Sequence, residues 1–311
     1  MELGDALSAW LPLTTFSVPS ESETRGFDKL RFESNVLRCG VSGGADSLAL
    51  LALGVAAGCT VTAVHVDHGQ RNGGSAEAEL VQRCAEEVGA AFESATVDVE
   101  PGPNLEARMR AARYKVLGPS AATGHTVDDQ AETLLINLMR GAGLVGLGAM
   151  QPGPRRPILS LRRTDTEAVC AAMGWEPFTD PSNTDPQFQR NRVRHELMPL
   201  LVDIADRDVV PLIVRSAAHA RDAAVLLAAS ADELDPTDAK ALAAAPAPIA
   251  SLAIQRWVRA ETGDEHPIDA ASIARVLDVA HGTAKAAEVT GGWRVSRSQQ
   301  RLSVTPVEAS G

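Results

Sequence analysis

Residues 35–56 set a pattern that the first half of the chain repeats. An extended apolar run at 35–41 is broken by Ser42-Gly43-Gly44-Ala45-Asp46-Ser47, and a dense apolar segment at 48–53 then reads as helix. A second strand is predicted over 60–66, where β-branched residues dominate, and Leu80, Val81, Cys84 and Val88 then share one helical face. A third strand over 92–99 stops at Pro101-Gly102-Pro103, and Asn104 can cap a helix that runs to Leu117. The short run 121–123 predicts a fourth strand, and 128–140 the helix after it. Strands alternating with helices predict an α/β fold, a parallel sheet with helices on both faces. A ligand is then expected beyond the C-terminal ends of the strands.

The second half changes character. Residues 151–157 are rich in Pro and Arg, Thr164 and Glu167 have capping-box spacing before a short helix, and 178–188 reads as a loop before helix resumes at 191–201. Beyond 206 the helical patterns at 210–229, 249–260 and 273–280 are Ala-rich, with Gly282 as a stop. Short strands are predicted at 286–289, 293–295 and 301–305, with a turn at Gly291-Gly292. These shifts divide the chain into an N-terminal arm over 1–34, a ligand-binding α/β domain over 35–205, and a smaller, mostly helical domain over 206–311 that ends in strands. Gly141, Gly143 and Gly146 spell G-x-G-x-x-G, but they follow a helix instead of a strand. A glycine-rich helix exit explains them better than dinucleotide binding.

Composition narrows the function classes. With 311 residues and 45% hydrophobic positions the chain can bury a sizeable core, and its net charge of −11 argues against a general nucleic-acid coat. RNA binding through a local basic face stays open, because the field depends on where the charges lie. Cys39, Cys59, Cys84 and Cys170 are scattered without metal-site spacing, which suits a reducing compartment. With no stretch of about twenty apolar residues, a cytoplasmic protein with no membrane association is predicted.

Glycines at a strand-to-helix turn let backbone N–H groups converge on an anion at the helix N-terminus. Ser42 and Ser47 offer hydroxyl donors there, whereas Asp46 repels a bare phosphate, so a cation, Mg²⁺, is expected between them. An ordinary turn and helix cap is the plainer alternative. Asp129 and Glu132 are three apart and share a helix face, which suits a bound metal, an ammonium substrate, or simply a dipole-favoured helix start. Arg110 and Arg113 lie one turn apart and can neutralise phosphate or remain solvated. Arg190, Arg192, Arg194 and His195 concentrate positive charge, with Arg155, Arg156, Arg162 and Arg163 nearby in sequence.

The loop at 42–47 resembles the PP-loop of the N-type ATP pyrophosphatases, and no Walker A pattern is present. S-G-G-x-D-S, H-x-x-D-D-Q-x-E-T from His125, and D-P-S-N from Asp180 followed by R-N-R-x-R-H-E from Arg190 occur in the order found in tRNA(Ile)-lysidine synthases. The resemblance extends over about 36–201. It implies a PP-loop, Rossmann-like catalytic domain in which Ser42, Gly43, Gly44, Ala45, Asp46 and Ser47 bind ATP. It also implies Mg²⁺ held partly by Asp46, and catalytic roles for Asp46, Arg113, Asp129, Glu132, Arg192 and Arg194. The implied reaction joins L-lysine to C2 of the wobble cytidine of an isoleucine tRNA with a CAU anticodon, through an adenylated cytidine, so that decoding changes from AUG to AUA. Asp129 and Glu132 are the expected lysine-binding or proton-accepting carboxylates. The arginine-rich middle and the C-terminal domain, a tRNA-binding or accessory unit, are expected to grip the RNA backbone, and a monomer or a homodimer is compatible with the sequence. The alternatives are a tRNA thiolation enzyme, for which paired cysteines are lacking, another PP-loop amidotransfer-type synthetase, and a non-catalytic RNA- or nucleotide-binding protein.

Overall fold

A computed structural model describes residues 3–16, 36–67, 74–97, 102, 105–263 and 268–307. The chain divides into two compact units, Met1–Ala217 and Ala218–Gly311. The first begins with α1 (Leu3–Ala6) and a 3-10 turn (Leu11–Leu13). These residues insert fully buried Leu7 into the main core, with Trp10 and Phe16 packed against the same core. Ser20 to Arg25, His68, Gly69 and Asn104 lie outside the described residues.

Strands β1 (Val36–Gly40), β2 (Thr60–Asp67), β3 (Ala91–Thr96) and β4 (Ala122–Thr123) form one parallel sheet in the order β3-β2-β1-β4. Its flanking helices are α2 (Ala45–Ala56), α3 (Gly74–Val88), α4 (Leu105–Leu117), α5 (Val127–Met139), the short α6 (Leu144–Leu147) and α7 (Arg163–Ala172). Side-chain alternation along β2 supplies both faces. Val61 and Ala63 join the large core with α2, whereas Val64 and Val66 meet Leu117 of α4 in a smaller one. Helix α2 is buried continuously from Ser47 to Gly54, because α7 covers the side that would otherwise face solvent. Strand order reverses between β1 and β4, so the chain opens a crevice at the C-terminal ends of those two strands.

Two local expectations are corrected. Helix α7 starts at Arg163, not after Thr164: the Asp165 carboxylate accepts the Arg162 N–H at 2.8 Å, and Thr164 lies inside the first turn. An acid at the third helical position thus overrides the T-x-x-E spacing. The segment expected as one helix over 191–201 is α8 (Gln189–Arg192), a π-helical turn (Val193–Leu197) and α9 (Met198–Ala205) in succession. Gly141 leaves α5 with φ 69° and Gly143 caps α6, so the G-x-G-x-x-G residues form a helix exit.

Helix α10 (Val210–Asp232) runs into the second unit. That unit contains α11 (Ala239–Ala244), α12 (Ala247–Thr262), α13 (Ala270–His281) and an antiparallel sheet of β5 (Ala286–Val289), β6 (Trp293–Ser298) and β7 (Arg301–Pro306). Ile254, Val258, Val276, Val279 and Val295 are its fully buried centre. Gly282, at φ 83°, ends α13 as expected. Among the described residues, no helix is long and apolar enough to cross a membrane.

Candidate functional site

The glycine turn follows β1 directly. Gly43 has φ 82°, a conformation costly for any residue with a Cβ, and its carbonyl accepts the Phe178 N–H at 2.9 Å. Gly44 then caps α2, leaving the first-turn N–H groups of Ala45 and Asp46 without helical carbonyls to bond. Ser47 lines the cavity and is also bonded within the loop. Its hydroxyl donates to the Gly44 carbonyl at 2.9 Å and accepts the Ser42 N–H at 3.1 Å, so it braces the loop from inside. The Ser42 hydroxyl lines the cavity in front of the loop.

Gly124, between β4 and α5, brings the second wall of the crevice into contact with this loop. A Cβ there would lie 2.5 Å from the Asp46 carbonyl oxygen and 2.7 Å from its carbon, a distance that backbone atoms cannot accept. We therefore expect Gly124→Ala to push the loop and α5 apart. ATP affinity should fall by roughly tenfold or more while the helical content is kept, as read by nucleotide titration and circular dichroism. An unchanged affinity would show that the two walls move independently.

At the start of α5, Thr126 donates its N–H (2.9 Å) and hydroxyl (3.2 Å) to Asp129 Oδ2. Asp128 binds the N-terminus of α7, accepting the Arg163 N–H at 2.8 Å and pairing with Arg162 at 3.1 Å. That junction delivers Arg163 to the carboxylates of α5. Glu132, 2% exposed, receives Arg194 at 2.7 and 3.0 Å, Arg190 at 2.9 Å and Arg163 at 3.3 Å. The same three guanidiniums stand 3.3–3.5 Å from Asp129 Oδ1. The cation that the acidic pair seemed to require is thus supplied by the protein itself. Three guanidiniums face these two carboxylates, and Asp46, 3.9 Å from Arg163, adds a third negative group, so the cluster is balanced in formal charge. Burial pushes the Glu132 carboxyl up, but hydrogen bonds and charge from Arg194 and Arg190 outweigh it and hold the group below its ordinary range.

Asp46 sits differently. Burial raises its pKa to about 6, a nearby Asp129 adds to the rise, and the Thr166 hydroxyl at 2.5 Å and the more distant Arg163 (3.9 Å) only partly offset it. A desolvated carboxylate without a close full counter-charge, at a phosphate-type nest, fits the way Mg²⁺ is held by one or two protein carboxylates plus substrate phosphates. Among the described residues no group of three or more His, Cys, Asp or Glu could hold a metal by itself. Phosphate oxygens would therefore have to complete such a site.

A cavity of about 950 Å³ is bounded by the glycine turn, the ends of β2 and β4, and the arginine cluster. Of the predicted catalytic residues, Asp46, Arg113, Asp129 and Arg194 line it, and Glu132 lies behind Asp129 and Arg194. Arg192 does not reach it. Its side chain is 61% exposed and pairs with Glu196 at 2.8 Å, four residues along the same helix. Residues two apart point to nearly opposite sides of a helix, whereas Arg190 and Arg194, four apart, share the inward face. Arg190 is the residue that this periodicity would have selected. Arg163 and Thr166 carried no such signal, since tertiary packing of α7 on α2 brings them in. His65, His125 and His195 also border the cavity, bonded to the Val41 carbonyl, the Thr123 hydroxyl and the Asn183 carbonyl.

A family described as a PP-loop domain matches residues 19–201. A tRNA(Ile)-lysidine synthase of Nocardia farcinica is 38% identical over 245 residues, covering 74% of this chain and 77% of its own. The enzyme of that name from Rhodococcus erythropolis is 39% identical, covering 70% and 72%. That from Mycobacterium leprae is 37% identical, covering 70% and 73%.

Proposed function

Because this chain belongs to the tRNA(Ile)-lysidine synthase family of PP-loop enzymes, we propose that it joins L-lysine to C2 of the wobble cytidine of an isoleucine tRNA with a CAU anticodon. ATP is converted to AMP and pyrophosphate. The observation that carries this reading is the meeting, around one cavity, of an anion-binding nest, an under-compensated Asp46 and a cluster of three guanidiniums.

The nest at 42–47 receives the pyrophosphate portion of ATP, and Asp46 is the residue that would hold Mg²⁺. The ion would supply charge neutralisation at the phosphates. The cytidine O2 attacks the α-phosphorus and pyrophosphate leaves. The lysine ε-amine then attacks C2 and AMP departs with the former O2. Adenylation is needed because a pyrimidine carbonyl oxygen is a poor leaving group. Arg113, Arg163, Arg190 and Arg194 oppose the negative charge that develops at phosphate, and fixed donors of this kind are each worth about 3 kcal/mol. Glu132 holds those arginines in place. Asp129, with longer contacts and a position on the cavity wall, is the better anchor for the lysine ammonium. Deprotonating that amine at pH 7 costs roughly 4.6 kcal/mol from its reference pKa, so desolvation in the cavity is part of the chemistry.

Mass spectrometry of nuclease-digested tRNA, after incubation with ATP, Mg²⁺ and lysine, tests the reaction. The expected product is cytidine heavier by one dehydrated lysine, and a sulfur-substituted nucleoside or unaltered cytidine would overturn the proposal. In the same assay Arg190→Ala should lower kcat by roughly 10²-fold, in line with loss of a transition-state donor, whereas Arg192→Ala should stay within about threefold because its partner is a surface glutamate. Equal losses would remove the helix-face assignment.

A further inference from the structure

The chain has six Phe, four Trp and one Tyr, and among the described residues Phe188 is the only aromatic side chain classed as exposed, at 43%. Its backbone, by contrast, is fixed. The N–H bonds the Asp185 carbonyl at 3.3 Å, and the carbonyl receives the N–H groups of Asn191 and Arg192 at 3.0 and 3.2 Å. The Asn191 side chain locks the same turn through the Asp185 carbonyl at 2.9 Å. Phe188 occupies the N-cap of α8 without a side-chain cap bond. Ser, Thr, Asp or Asn would serve that position better, and a ring left 43% exposed forgoes part of the benefit of burial. Capping therefore gives no reason for a phenylalanine here.

Its surroundings do give one. Arg190, two residues on, reaches Glu132 at the cavity. Arg140 is exposed and bonds Gln189 at 3.2 Å, and Arg192 is 61% exposed. Two acids share this surface, Glu196, paired with Arg192, and Asp185, whose carboxylate accepts the Gln187 N–H at 2.9 Å. An exposed aromatic ring on a fixed turn, in a segment that carries Arg190 and Arg192 and that meets Arg140 through Gln189, next to a nucleotide-sized cavity, suits unpaired nucleotides, because bases stack on such rings while cations follow the backbone.

We propose that Phe188 is a stacking platform for the unpaired base immediately 3′ to the reactive cytidine, holding the anticodon loop open while the cytidine enters the cavity. This rests on the RNA substrate proposed above. Phe188 is a positioning residue and takes no part in bond making.

The test uses the full chain and an isoleucine tRNA with 2-aminopurine immediately 3′ to that cytidine. Wild type and Phe188→Trp should quench the 2-aminopurine fluorescence on binding. Phe188→Leu keeps apolar volume without a π face. It should bind roughly tenfold more weakly and lose the quench, with ATP affinity and thermal midpoint unchanged. Wild-type affinity and quench in Phe188→Leu would overturn the platform, as would a changed oligomeric state with unaltered tRNA affinity. Failure of wild type to bind the tRNA at all would overturn the substrate reading itself, so the two failures are distinguishable.

Discussion

Asp46→Asn should reduce turnover by roughly 10³-fold or more while making the nucleotide-free protein more stable. The first effect follows from removing the charge that anchors a cation against ATP phosphates, a contribution of several kcal/mol to a developing negative centre. The second follows from linkage. The folded pKa of Asp46, about 6, lies above the ordinary value of 3.8, so the folded protein binds this proton more tightly than the unfolded chain does. Below the ordinary value both states are protonated and there is no penalty. The penalty grows between pH 4 and 6 and is constant above that, at roughly 2–3 kcal/mol for a shift of this size. Denaturant unfolding in EDTA should therefore show Asp46→Asn more stable than wild type at pH 7.5 and equal to it below pH about 4. A less stable variant at neutral pH would mean that Asp46 is already well compensated. The Thr166 hydroxyl can still donate to the Asn oxygen, so the comparison isolates charge.

Glu132→Gln has the opposite sign. Removing the negative charge leaves three guanidiniums facing Asp129 and the more distant Asp46, and breaking buried ion pairs in this one-sided way costs about 3–5 kcal/mol. For a folding unit of this size, that corresponds to a melting temperature lower by roughly 10 °C. Turnover should fall as well, because Arg194 and Arg190 lose the acceptor that aims them. The carboxyl is held below its ordinary value of 4.5, so its stabilisation is complete above that pH and is lost as pH falls through the folded value. The difference between wild type and variant should therefore shrink in acid. Adding Arg190→Ala to Glu132→Gln should restore part of the lost stability by relieving repulsion, a coupling that a double-mutant cycle measures directly. Additive losses would show that Arg190 and Glu132 do not act as a pair. Full charge at neutral pH also makes Glu132 unsuited to hold a proton in the reaction.

The sequence by itself determined the parallel sheet, its order of strands and helices, and the ligand rim. Strand–helix alternation and glycine at the end of the first strand follow from local backbone chemistry and side-chain period. Asp46, Asp129 and Glu132 were legible because polar residues follow predicted strand ends, where the fold brings different segments together, and Arg194 because positive charge concentrates at 190–195 of an otherwise acidic chain. Helix period alone could have exchanged Arg192 for Arg190, since the inward face repeats every three to four residues and not every two. Only the tertiary structure decided the rest. Thr166 and Arg163 enter the site because α7 packs along α2 and is pinned by Asp128, contacts between residues over thirty positions apart. Gly124 looks like any loop glycine until the Asp46 backbone lies beneath it. The charge state of Glu132 was equally hidden, because a carboxylate's pKa depends on which cations lie within about 4 Å, and sequence spacing does not specify that distance.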